Sequence, residues 1–550
     1  MSRFFMNDRA SIVSDAIEGT IISSPFRNLV RLEVDAFIRV VMRSDWDKKQ
    51  VAVISGGGSG HEPAHVGFVG KGMLTAAVCG DIFASPSVDA VLNAIVAVTG
   101  EPGCLLIVKN YTGDRLNFGL AAEKAKAMGY SVELVMVSDD ISLPDNKQPR
   151  GIAGTAFVHK IAGWAAAQGY PLSQVTDIAR QAISNTASIG VAMQACHLPG
   201  DEGEGRAIET GHVELGLGIH GEPGSTVLDT DNSRQIMAIM VEKLLSHLPE
   251  QGELAVLVNN LGGVSPLEMS LLTRELAHST LSSRLAYLIG PAPLISALDM
   301  KGFSLSALVL DEELQAALLS PVETAGWQAA VPFLPMPTQP ADKLKHRLQV
   351  SPSDNKSVGQ AVGTVTRTLI DLETELNRLD ALVGDGDTGT TFAAGAQEIA
   401  RQLEEGQLPL DQLDNLFSLV GEQLATVMGG SSGVLMSILF TAAGKQVSEG
   451  QSTTRALLGG LSQMKHYGGA DLGDRTLIDA LQPALEALDQ GGNLKAAADA
   501  ARQGAESTAR MSEANAGRSS YLNSDSLSGN KDPGALAVEK VFEQLALLAG

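Results

Sequence analysis

Cysteine is scarce in this chain: Cys79, Cys104 and Cys196 are the only three among 550 residues. Their spacing fits neither a metal-binding pattern nor a disulfide framework, so a reducing compartment, the cytoplasm, is the expected setting. Long apolar runs are missing too, and none reaches the length needed to cross a bilayer. The first residues, Met1 to Asp8, lack the apolar core of a signal peptide. Basic residues are in deficit, with 40 Lys and Arg against 63 Asp and Glu and a net charge of −23. That balance excludes nucleic acid and anionic membrane as partners. It also means that a polyanionic ligand would need local help from metal ions or backbone amides. Aromatics are only 4% of the chain, and Ala, Gly and Leu dominate. Neither a solenoid-length repeat nor a low-complexity tract is present.

What is there has two textures. Over residues 1–335 short apolar runs alternate with helical patterns. Val51–Ser55 reads as a buried strand feeding a glycine-rich loop, and Cys104–Val108 as a second strand ending at Lys109-Asn110-Tyr111-Thr112-Gly113-Asp114. A helix is expected over Asn117–Met128 and a strand over Val132–Val137. Further strands are expected at Leu254–Val258, Leu285–Ile289 and Leu305–Leu310. This rhythm predicts α/β sheets, parallel or mixed, with helices on their faces and ligands at the carboxyl ends of the strands. A break near 185–195 divides this half into two lobes. Residues 336–357 gather Pro337, Pro340, Lys343, Lys345, His346, Arg347 and Ser351-Pro352-Ser353 and read as a linker. From 358 to 550 the period is helical throughout, beginning with Val362, Val365, Leu369, Leu372, Leu376 and Leu379 as one run. An all-α bundle or barrel of about seven to nine helices is expected there.

Chemistry concentrates in a few segments. Asp380 ends an amphipathic run, and Asp385 and Asp387 follow in the turn Gly384-Asp385-Gly386-Asp387-Thr388-Gly389. Three carboxylates this close repel one another unless a cation lies between them, and Mg²⁺ takes such hard oxygen ligands while leaving positions for phosphate oxygens. A solvated acidic loop is the plain alternative. In Ser55-Gly56-Gly57-Gly58-Ser59-Gly60-His61-Glu62-Pro63-Ala64-His65 the glycines let backbone amides approach a small ligand. No Walker lysine follows. Gly216-Leu217-Gly218-Ile219-His220-Gly221 has the form GxGxxG, but Glu222-Pro223-Gly224 continues it as a turn, so the helix a dinucleotide site needs is absent. What remains is a histidine among glycines, whose nitrogen can add to a ketone or aldehyde. Asp114 is a candidate general base and Lys109 a candidate oxygen or phosphate ligand; singly, each is also an ordinary surface charge. Met428-Gly429-Gly430-Ser431-Ser432-Gly433 precedes an apolar helix and suits a phosphate cradle or, more simply, a serine N-cap. Asp474-Arg475-Thr476-Leu477-Ile478-Asp479 and Lys531-Asp532-Pro533-Gly534 read as helix-entry loops.

Taken together and in this order, these segments resemble the single-chain, ATP-dependent dihydroxyacetone kinases over essentially the whole length. The resemblance implies that His220 bonds the substrate carbonyl as a hemiaminal, that Asp114 takes the proton of the attacking hydroxyl and that His61 orients that hydroxyl. It implies that Gly56, Gly57, Gly58, Ser59 and Lys109 line the substrate pocket. Asp380, Asp385 and Asp387 would hold Mg²⁺, expected as two ions. Asp385, Gly386, Asp387, Thr388, Ser431, Ser432, Gly469, Thr476, Leu477, Asp532, Pro533 and Gly534 would surround ATP. Leu477 stands where the family often has methionine, and either packs on adenine. The substrate would be dihydroxyacetone or glyceraldehyde, in a cytoplasmic homodimer in which the helical domain of one subunit would serve the partner's substrate site. Two alternatives stay open: a kinase of a related ketose or a flavin-dinucleotide cyclase, and a non-catalytic carbonyl-binding sensor.

Overall fold

The computed structural model describes residues 4–35, 37–143, 147–200, 208–341, 348, 350–515, 527 and 529–549. The basic cluster expected in the linker, at 342–347, lies outside them. Contacts divide the chain into two compact units, Met1–Thr338 and Gln339–Gly550.

The first unit holds two sheets. Strands β1 (Leu29–Arg31), β2 (Val40–Arg43), β3 (Ala52–Ser59), β4 (Ala76–Ile82), β5 (Cys104–Lys109) and β6 (Val132–Val137) form a sheet in the order β1-β2-β4-β3-β5-β6. Its β4-β3-β5-β6 core is parallel, and β1 and β2 are antiparallel additions at one edge. Strands β7 (Thr186–Gln194), β8 (Val213–Leu215), β9 (Thr226–Leu228), β10 (Leu254–Asn260), β11 (Leu285–Ala292), β12 (Lys301–Val309) and β13 (Val331–Pro332) form the second sheet, in the order β13-β11-β10-β12-β7-β8-β9. Here only the β10–β11 pair is parallel. The expected break at 185–195 is itself a strand, β7, the first of the new sheet.

Both faces of the first sheet are covered, as parallel strands require. Val53, Leu105 and Ile107 face a central core with Phe157, Ile161 and Val175 of the helices Thr155–Ala167 and Leu172–Ser184. Their neighbours Ile54, Leu106 and Val108 face the opposite way, under the helices Val88–Val98 and Thr112–Ala127. Ala255 and Leu257 of β10 join the central core, whereas Val256 and Val258 pack under the helices Ser233–His247 and Pro266–Ala277. Helices therefore lie between the sheets and outside each of them.

Two local expectations are corrected here. The glycines after Ser55 are not a loop: β3 runs through Ser59, with Gly56 opposite Val78 and Gly57 opposite Cys79 of β4. Close approach explains the residue type, because a Cβ on Gly56 would fall 2.2 Å from the Val78 carbonyl oxygen. The helix expected from Asn117 starts at Thr112, with extended Tyr111 as its N-cap, so Asp114 sits in the first helical turn and not in a loop.

The second unit is all helical, with nine helices among the described residues: Lys356–Asp371, Glu373–Val383, Thr388–Glu404, Leu413–Val427, Gly430–Ser448, Thr453–Gly468, Ile478–Asp489, Leu494–Thr508 and Pro533–Leu548. The run from Val362 to Leu379 is two helices, because Leu372, at ψ −4°, closes one and opens the next. Their hydrophobic stripes meet in several small cores. No helix among the described residues is long and apolar enough to cross a membrane.

Candidate active site

In the first unit, the ends of β3 and β5 and the β8–β9 loop bring four of the expected residues together. His61, fully buried, follows β3. Its Nδ1–H donates to the Ser296 carbonyl at 2.7 Å, and its ring stacks on Phe83 with centroids 5.0 Å apart. Its Nε2 lies 3.1 Å from Nε2 of His220. His220 sits in the β8–β9 loop, with Nδ1 3.0 Å from Glu222 Oε1 and its backbone N–H donating to Glu222 Oε2 at 3.0 Å. Tyr111 meets the same imidazole edge-on, 4.6 Å between centroids.

The hydrogen-bond partners fix the protons. A carbonyl and a carboxylate only accept, so both Nδ1 atoms carry hydrogen. Two bare Nε2 lone pairs at 3.1 Å would repel, so a further proton lies between them. Burial, then Lys109 and His220, push His61 well below its ordinary value, so His61 is a poor holder of that proton. Burial alone would raise Glu222, but its bond to His220 prevails and holds it at about 2.

Lys109, at the end of β5, is fully buried, and its Nζ has no hydrogen-bond partner among the described residues. Burial lowers its pKa against the pull of Asp114 and Glu222. Asp114 is 5% exposed; burial raises its pKa while Lys109 opposes the shift. A Cβ on Gly57 would lie 3.5 Å from Asp114 Oδ2 and 3.6 Å from Lys109 Nζ, so this glycine keeps the space before both groups open. Ser59 turns away, donating to the Gly80 carbonyl at 2.8 Å, and Gly58 packs on the backbone of Phe83 and Ala84. An unpaired buried ammonium, a carboxylate with raised pKa and a paired imidazole suit a small polyhydroxy carbonyl compound.

In the second unit, Asp380 lies in the last turn of Glu373–Val383, and its Oδ2 accepts from the N–H groups of Gly386, Asp387 and Thr388 at 3.0, 3.0 and 3.2 Å. Those bonds fold the turn back on the helix end. Ligand oxygens of Asp380, Asp385 and Asp387 then lie within 4.8 Å of one another. An all-carboxylate oxygen set held by backbone amides fits Mg²⁺. Ser431 and Ser432 fall in the first turn of Gly430–Ser448; Gly429 is the N-cap and no side chain caps the helix. The serine N-cap reading therefore fails, and these hydroxyls stand beside free helix-terminal amides.

One core ties these segments: Leu379 beside Asp380, Met428 before the serines and Leu536 after Asp532-Pro533-Gly534. Asp532 caps the last helix, its carboxylate accepting from Ala535 N–H at 2.8 Å. Burial, reinforced by Asp479 and Asp380, pushes its carboxyl up to about 6. A Cβ on Gly534 would sit 3.1 Å from Leu477 Cβ. Thr476 N–H donates to Asp479 Oδ2 at 2.8 Å. Gly469 stands apart in character: exposed, it ends Thr453–Gly468 at φ 72° with open space beside it.

Sequence reasoning missed Glu222, Tyr111, Phe83 and Ser296. Glu222 was readable only as part of a turn; its position two residues after His220 is the one signal that pointed to it. Tyr111 lies inside the segment Lys109 to Asp114 without being read as a site residue, and Phe83 and Ser296 come from loops distant in sequence with no local signal.

The fold thus defines a two-part protein, with a buried imidazole–carboxylate site on an α/β unit and a carboxylate cluster on a helical one. Residues 24–326 match the Dak1 domain and residues 382–547 the DAK2 domain. The chain is 62% identical to a dihydroxyacetone kinase of Citrobacter freundii over 99% of both chains, and 39% identical to a putative 3,4-dihydroxy-2-butanone kinase of Solanum lycopersicum over 99% of this chain and 98% of the other. The crystal structure of the C. freundii kinase in complex with AMP-PNP and Mg²⁺ superimposes with a TM-score of 0.72 at 60% identity, covering 100% of each chain. The chain belongs to the dihydroxyacetone kinase family.

Proposed function

We propose that this protein transfers the γ-phosphoryl group of ATP to dihydroxyacetone, and also to glyceraldehyde, while His220 holds the substrate as a hemiaminal. The observation that carries this reading is the His61–His220 pair with Glu222 behind it. His220 Nε2 bonds the carbonyl carbon as its proton passes to the carbonyl oxygen, with His61 Nε2 placed to relay it. Glu222 keeps accepting the Nδ1 hydrogen of the His220 ring throughout. Asp114, its pKa raised by burial, accepts the proton of the terminal hydroxyl that attacks phosphorus, and Lys109 steadies the substrate oxygens. Of the Gly56–Ser59 stretch, Gly57 faces the space before Lys109 and Asp114, and its neighbours hold the strand that carries it.

Asp380, Asp385 and Asp387 would hold Mg²⁺, expected as two ions, and bound metal supplies charge neutralisation on the phosphates. Thr388, Ser431 and Ser432 present N–H and O–H groups to phosphate oxygens. Thr476, Leu477, Gly469 and Asp532 to Gly534 enclose the rest of the nucleotide. Glycerol has no carbonyl and is rejected for lack of a bond, a stronger discrimination than the roughly 1–3 kcal/mol of one misfitted group. A homodimer is part of this reading, and sedimentation at micromolar concentration checks it.

The test is a coupled assay with ATP, Mg²⁺ and each of dihydroxyacetone, glyceraldehyde and glycerol. Turnover on both carbonyl trioses and none on glycerol is expected; absence of ATP consumption with either triose would sink the reading. The double variant Asp385→Ala, Asp387→Ala should lose turnover by at least 10³-fold while still binding triose. The tomato relative's name keeps a four-carbon ketose in view as a second reading, and kcat/KM for a tetrulose against the triose decides it.

A further inference from the structure

One buried ion pair reaches the loop that carries His220. After β6, residues 139–142 cross to the second sheet: Ser188 N–H donates to the Asp139 carbonyl at 2.7 Å and Ile141 N–H to the Ser188 carbonyl at 3.0 Å. From this crossing Asp140, its side chain 3% exposed, holds Arg150, 10% exposed. Arg150 Nε donates to Asp140 Oδ2 at 2.7 Å, and Nη2 lies 2.6 Å from the same oxygen. The same Nη2 donates to Ser142 Oγ at 3.2 Å and to the Gly216 carbonyl at 2.7 Å. Gly216 directly follows β8 and opens the loop to His220.

The loop has no slack around this pair. A Cβ on Gly216 would fall 2.5 Å from Ser142 Cβ. A Cβ on Gly218 would fall 2.0 Å from Glu222 Oε2 and 2.6 Å from Arg150 Nη1. The guanidinium and the carboxylate that orients His220 therefore converge on one α-carbon.

A buried ion pair is a weak source of stability, because desolvation offsets most of its attraction. Its distinctive contribution is geometric. One planar guanidinium fixes a carboxylate, a hydroxyl and a carbonyl at set angles, which a single ammonium cannot do. We propose that Arg150, held by Asp140, is the positioning residue of the His220 loop, setting where Glu222 presents the imidazole to the substrate carbonyl. The proposal rests on His220 being the residue that bonds the carbonyl.

The test compares the wild type with Arg150→Met and Arg150→Lys, using ¹³C NMR of dihydroxyacetone labelled at its carbonyl carbon. Steady-state kinetics and Mg·ADP titration calorimetry accompany it. The wild type should show a bound tetrahedral-carbon resonance beside the free ketone. In Arg150→Met that resonance should fall at least tenfold in occupancy and KM for the triose should rise at least tenfold, with Mg·ADP affinity within twofold of wild type. Arg150→Lys keeps the charge against Asp140 but loses the bond to Gly216, and should lose occupancy in the same direction. If Arg150→Met does not fold, Arg150→Lys decides alone. A folded variant with wild-type adduct signal and KM overturns the proposal. A wild type with no tetrahedral resonance overturns the His220 reading itself, and this proposal with it.

Discussion

At the residue scale, the substrate site depends on which atoms hold protons. Glu222 is the clearest case, since its carboxylate meets both the ring and the backbone of His220. Glu222→Gln keeps the shape but removes the negative charge behind the His220 ring. Triose kcat/KM should fall about 10²-fold, on the scale of one lost electrostatic contact in a buried site. An unchanged value would show that Glu222 only fills space. His220→Asn should abolish the tetrahedral resonance and erase the preference for dihydroxyacetone over glycerol, measured as competing inhibition constants. Gly56→Ala probes packing instead of chemistry. Its methyl group would meet the Val78 carbonyl at 2.2 Å, so β3 and β4 must part, at a cost of about 1–3 kcal/mol in denaturant unfolding.

At the element scale, helix starts place the chemistry. The first turn of Thr112–Ala127 carries Asp114, and that of Gly430–Ser448 carries two serines that no cap uses. Because Gly429 is the cap, Ser431→Ala and Ser432→Ala should change stability by no more than about 0.5 kcal/mol. Both should still weaken Mg·ATP binding, read by calorimetry. A large loss of stability with normal nucleotide affinity would make these serines structural. The Asp380 turn works the other way round: three backbone amides aim one carboxylate, which ties the loop to the helix end.

At the scale of the molecule, the first unit buries a group of neutral imidazoles. His61 and His65 lie well below the ordinary histidine value, chiefly through burial, and His159 is lowered to about 3. His159 Nε2–H donates to Ser55 Oγ at 3.1 Å while its buried Nδ1 has no partner among the described residues, and burial keeps the ring neutral in the fold. A depressed folded pKa means that the unfolded chain binds more protons, so the stability is full above about pH 6.5 and is lost as pH falls. His159 alone should remove about 2 kcal/mol by pH 5. Asp139, raised by burial to about 6, opposes this, since its contribution is full below its unfolded value and lost as pH rises through 6. Asp114 and Glu62, also raised by burial, act in the same sense as Asp139, and the three deeply lowered histidines outweigh these carboxyls. Trp46, Trp164 and Trp327 all belong to the first unit, so tryptophan fluorescence follows its unfolding by itself. The urea midpoint should drop between pH 7 and pH 5, and the drop should shrink in His159→Gln. A flat midpoint would contradict the buried neutral imidazoles.

The sequence by itself determined what depends on local period and composition. The continuous apolar run from Val51 to Ile54 marked a buried strand, and the spacing from Val358 onward marked helices. The order of glycine, histidine and aspartate segments marked the family. Local pattern could not place Gly56 to Gly58 inside β3, because glycine is a poor strand former and only the pairing with β4 makes that stretch extended. Nor could it split the run at Leu372, where the hydrophobic period continues unbroken through the end of one helix and the start of the next. Only the tertiary structure decided that His61 meets His220 across 159 residues of sequence, that Ser296 and Glu222 set their tautomers, and that Arg150 reaches Gly216. Those contacts join different strands and loops, and they form where long-range packing, with no counterpart in local period, brings buried polar groups to the partners they must have.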